Sequence, residues 1–119
     1  MNLPQTIKYL AIVSPDSIFK LAWKLNSEFD LNLKEEVISA EGKEILFFAD
    51  KGEYSQIVLI KPSFLKSQKL KKIDFIIAMN EADFTKEQIK RLNNIQSVTD
   101  AKPFLYKKDI IFLENILLN

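Results

Sequence analysis

The chain has 119 residues, of which 47% are hydrophobic and 28% charged, the composition of one globular domain spanning 1–119. Lysine plus arginine is 17 and aspartate plus glutamate 16, for a net charge of +1, so no global field steers it towards nucleic acid or an anionic membrane. It has no cysteine and no histidine, which excludes disulfides, thiol catalysis, and metal centres built on thiolate or imidazole.

The apolar run after Lys8 covers only residues 9–13. That is too short for a secretory core, and no run approaches the roughly 20 residues that cross a bilayer. The expected compartment is the cytoplasm, with no membrane partner. Residues 6–13 are rich in β-branched and aromatic side chains and predict a first strand. Ser14-Pro15-Asp16 then reads as a helix start: Ser14 as cap, Pro15 in the first turn, Asp16 at the positive end of the dipole. The helix should run from 15 to 27 or 29. Ile18, Leu21, Ala22, Leu25 and Phe29 share its core face, while Phe19 and Trp23, one turn apart, fall beside that stripe.

Residues 31–40, 44–49 and 54–61 read as three strands of an antiparallel meander. The breaks between them hold the two glycines, Gly42 and Gly52, where a hairpin turn needs positive φ. The apolar runs at 47–48 and 57–60 imply burial on both faces, or cover by a partner subunit. Residues 62–72 form a lysine-rich connection, and 73–79 a further buried strand. Next comes a helix with Thr85 as cap, Gln88 closing a capping box and Phe84 with Ile89 as staple. It should stop at Asn93-Asn94. Residues 97–104 predict a last strand, held to an edge by Pro103. Seven of the last ten residues are apolar, and a helix capped by Asp109 is the preferred reading of the tail. Together these elements predict an α+β fold: an antiparallel sheet with two helices on one face, ferredoxin-like with an extra strand, plus a C-terminal helix.

Several segments carry a family resemblance. Leu21-Ala22-Trp23-Lys24-Leu25-Asn26 resembles the opening of the small bacterial IPExxxVDY family, with Ile73-Asp74-Phe75 in the place of its Val-Asp-Tyr. Ile95-Gln96-Ser97-Val98 and Glu114-Asn115-Ile116-Leu117-Leu118 resemble its later segments. Ser67-Gln68-Lys69 stands where that family has Ile-Pro-Glu. The resemblance implies a fold and carries no activity.

Catalytic and cofactor chemistry finds little support. Glu35 and Glu36 are adjacent on a strand and point to opposite faces, so they cannot hold one ion. Asp74, at a strand start, is expected to bond backbone. A serine nucleophile would need a lysine base, and no lysine stands at a recognisable spacing from a serine. No glycine-rich loop exists to cradle phosphate. The expectation is therefore a non-enzyme without metal or cofactor. Two binding features remain. One is an interface for self-association, as a homodimer, or for a partner protein; it uses Phe19, Trp23, Phe112 and Ile116. Its bland counterpart is a tail folded over Phe19 and Trp23. The other is a basic tract from Lys61 to Lys72, with Lys66, Lys69, Lys71 and Lys72 as contacts for nucleic acid or another anion. Interleaved aromatics are sparse there, so nucleic acid is the alternative reading.

Overall fold

A computed structural model describes residues 7–40, 42–51, 56–62, 73–80, 85–105 and 107–117, with backbone alone at 40, 109, 112 and 115–117. The elements run β1 (Ile7–Val13), α1 (Ile18–Phe29), β2 (Lys34–Ala40), β3 (Lys43–Lys51), β4 (Gln56–Ile60), β5 (Phe75–Asn80), α2 (Lys86–Asn93), β6 (Asp100–Pro103) and α3 (Lys107–Leu117). The strands form one six-stranded antiparallel sheet in the order β2-β3-β4-β5-β1-β6. α2 carries the chain from β5 over β1 to β6, and α1 carries it from β1 across the sheet to the far edge at β2. In both crossovers the two joined strands run the same way, because every neighbouring pair between them is antiparallel.

Alternation along the strands builds two cores. Leu10, Ile12, Leu59, Phe75 and Ile77 face α1 and α2, where Ile18, Leu21, Leu25 and Leu92 meet them. Tyr9, Phe47, Val58, Ile60 and Ile76 face the other side, where Leu113 of α3 is fully buried and Ile110 packs alongside. The run at 57–60 is thus covered on both faces. Both helices of the crossovers share one face, and α3 takes the opposite one.

The start of α1 differs from the sequence expectation. The cap is Ser17, whose Oγ accepts the Lys20 N–H at 3.2 Å. Ser14 is buried and is engaged elsewhere. Its N–H donates to Asp74 Oδ2 at 2.9 Å, and its Oγ accepts the Asp16 N–H at 3.2 Å. That long-range bond holds Ser14 at the end of β1 and delays the helix by one turn. Asp74 bonds backbone, as its place at a strand start suggested.

At the other end of α1, Asp30 adopts the left-handed conformation (φ 54°, ψ 45°), which a short polar side chain tolerates. β2 begins only at Lys34, because residues up to Leu33 complete this turn. Gly42, with φ 76°, turns the chain between β2 and β3; Gly52 lies outside the described residues. β6 begins at Asp100 rather than 97, since residues 95–98 coil tightly off α2 through the Val98 N–H to Ile95 carbonyl bond of 2.9 Å. Asp109 lies inside the first turn of α3 instead of capping it.

The cap of α2 is Thr85, whose Oγ1 accepts the Gln88 N–H at 3.3 Å. The reciprocal half of the box is not made: among the described residues, Gln88 Oε1 is buried without a hydrogen-bond partner. Phe84, the expected staple residue, lies outside the described residues.

Candidate functional site

The first helix buries one stripe and leaves its neighbour in solvent. Ile18, Leu21, Ala22 and Leu25 are buried, whereas Phe19 and Trp23 are 53% and 69% exposed. Four residues apart, the two aromatics lie on one flank. Register fixes which flank it is. The Phe19 ring meets Phe48 edge-on, 5.5 Å between centroids and 89° between planes, and Phe48 of β3 stands opposite Glu35 of β2. The aromatic flank of α1 therefore overhangs the β2 side of the sheet.

On the same face of β2, Val37 stands opposite Leu46, which packs into the core beneath α1. Val37 is 54% exposed. Sequence reasoning missed this residue, although its neighbours on the same face of the strand, Glu35 and Ser39, are both polar and hinted that it would face water.

The two sheet edges differ. β6 is four residues long and carries Pro103, which has no N–H to offer. β2 is seven residues long and, among the described residues, pairs with β3 alone. Glu35 and Glu36 point to opposite faces, opposite Phe48 and Phe47 respectively. Glu36 is engaged by Lys51, Nζ to Oε1 3.0 Å.

The remaining candidate residues do not join this surface. Phe112 and Ile116 belong to α3 by backbone, and their side chains lie outside the described residues. α3 packs on the face of the sheet opposite α1, so it neither shares a surface with Phe19 and Trp23 nor covers them. Ile111 of α3 is exposed on its own side. Lys66, Lys69, Lys71 and Lys72 lie outside the described residues. Lys61 is exposed, its ammonium 5.9 Å from the centre of the Phe75 ring.

Electrostatics near the start of α1 centre on Asp16. Its carboxylate meets Lys24 Nζ at 2.9 Å and Lys20 Nζ at 4.0 Å. The Ser97 hydroxyl first, and Lys24 second, hold its pKa below the usual carboxylate value. The two lysines tie the β1–α1 turn to the body of α1, so the role of this cluster is to fix architecture. Among the described residues, no group of three or more acidic side chains could hold a metal ion, and no helix is long and apolar enough to cross a membrane. No protein-family model matches the chain, and no curated protein matches it.

Proposed function

We propose that this chain is a non-catalytic domain that works by self-association, two copies joining edge to edge through β2. The observation that carries the reading is the coincidence of a seven-residue edge, paired on one side only among the described residues, with the exposed Phe19, Trp23 and Val37 on its α1 side. Exposed apolar surface of this kind marks interaction sites, and aromatic side chains are enriched in them.

Antiparallel pairing of β2 with itself about Val37 is chemically consistent. Val37 faces its own copy, Glu36 faces Ile38, Glu35 faces Ser39 and Lys34 faces Ala40. No like charges are opposed. The two-fold axis of such a pair stands perpendicular to the sheet and keeps both α1 helices on one side. Phe19 and Trp23 of each copy then close over the junction.

Sedimentation equilibrium at micromolar concentration tests the proposal. The wild type should be a dimer. Trp23→Glu should weaken it, and Val37→Lys should split it by setting two ammonium groups face to face, with circular dichroism unchanged in both. A monomeric wild type ends the reading, as does a dimer indifferent to both substitutions.

A further inference from the structure

A second feature lies away from that edge. Between the C-terminal half of α1 and α2 is a half-open cleft of about 220 Å³. Leu10, Ile57 and Ile77 form its floor, and Leu25, Phe29 and Leu92 its walls. Protein interiors seldom leave voids larger than a water molecule, and about 150 Å³ of apolar cavity is enough to admit benzene. The cleft therefore has room for one ring or a short acyl chain.

Its lining carries two polar side chains, Gln88 and Arg91, one turn apart on α2. The Arg91 guanidinium is held in place: its carbon lies 4.4 Å from the centre of the Phe29 ring, and Nη2 donates to the Glu28 carbonyl. Among the described residues no carboxylate pairs with it. A guanidinium has five N–H donors in a planar fork, so most of its donor capacity remains for a guest. The Gln88 backbone N–H is engaged by Thr85, and its Oε1 is buried beside the cleft, without a partner among the described residues.

We infer that this cleft binds a small monocarboxylate with an apolar body, its carboxylate on the Arg91 guanidinium and the body lying on Leu25, Ile57 and Leu92. A single cation suits a monoanion better than a phosphate, and the apolar floor suits an alkyl or aryl tail better than a sugar.

The test is a titration of methyl-labelled full-length protein with octanoate, followed by NMR, with octanol as the uncharged probe. Octanoate should shift the methyl signals of Leu25, Ile57 and Leu92 saturably, and bind more tightly than octanol. Arg91→Gln should weaken octanoate about tenfold, the loss of a charge-assisted bond, and leave octanol unchanged. Arg91→Lys, which keeps the charge without the fork, should fall between. The inference is overturned if millimolar octanoate leaves those methyls unmoved, if octanol binds as well as octanoate to the wild type, or if Arg91→Gln binds octanoate like the wild type.

Discussion

The side-chain amide of Asn93 pairs with the backbone of Ala101 in both directions: Oδ1 accepts the Ala101 N–H at 3.0 Å, and Nδ2 donates to the Ala101 carbonyl at 3.3 Å. Nδ2 also reaches the Ile89 carbonyl at 3.0 Å. Asn26 treats Leu33 the same way, accepting its N–H at 2.7 Å and donating to its carbonyl at 3.3 Å. In each case an asparagine in the last turn of a helix stands in for a strand neighbour to the chain that follows.

Removing such a clamp should be costly because it orphans a part-buried N–H and carbonyl together. Asn93→Ala is expected to lower stability by about 2 kcal/mol, read as a shift of the urea midpoint at constant slope. Asn93→Asp keeps the acceptor and should cost less than alanine at neutral pH. Equal midpoints for wild type and Asn93→Ala would show that the clamp adds nothing.

The two helix caps give a paired test. Ser17→Ala and Thr85→Ala should each cost about 1 kcal/mol, since each removes the acceptor for an otherwise unpaired backbone N–H. Glycine at either position should be milder than alanine. A Ser17→Ala protein as stable as wild type would move the cap of α1 back to the segment at Ser14.

Asp16 makes stability depend on acidity. The folded state holds its pKa below the ordinary value of 3.8, through the Ser97 hydroxyl and then Lys24. A lowered folded pKa means that the contribution is present in full above the unfolded value and is lost as pH falls through the folded one. Asp16→Asn should therefore destabilise the protein at pH 6 and flatten its acid limb below about pH 4. An unfolding profile whose acid limb is identical in wild type and Asp16→Asn would count against the cluster.

Tyr9 supplies the alkaline counterpart. Burial first, and the charge of Glu114 second, push its phenol up to about 12. The folded state thus favours the neutral ring, and stability is present in full below the unfolded value near 10 and lost as pH rises from there towards 12. Tyr9→Phe should retain more of its stability than wild type between those limits. Ultraviolet titration of the folded wild type should show a late ionisation that Tyr9→Phe lacks; identical late limbs in the two proteins would count against the assignment.

Much of the architecture could be read from patterning, because burial dominates it. The stripe Ile18, Leu21, Ala22, Leu25 is buried as its spacing required, and Phe19 and Trp23 lie outside it. The continuous run at 57–60 announced a strand with core on both sides. What escaped was set by distant partners. Ser14 carried every local mark of a cap, yet its N–H belongs to Asp74, sixty residues away. Asn93 read as a stop signal, and α2 does end there, but nothing local announced that its side chain also clamps β6. No pattern in α3 says which face of the sheet it will cover, since both faces are apolar. The cleft is less legible still: Leu25 and Phe29, Ile57, Ile77, and Gln88 with Arg91 come from four separate stretches, and only the folded chain brings them together.

The place of β1 in the sheet also sets a timetable. The meander β2–β3–β4 closes between near neighbours, but β1, made first, waits for both of its own: Ile7 pairs with Asn80 and Val13 with Asp100. Pairings so far apart in the chain form slowly, because a long loop must close before either is rewarded. During synthesis Leu10 and Ile12, destined for full burial, leave the ribosome long before the strands that will hide them. Until then Leu10 and Ile12 lack both strand neighbours, and exposed apolar surface of that kind is what a chaperone captures. A chain halted after α2 would keep its meander and give β1 only one of its two neighbours.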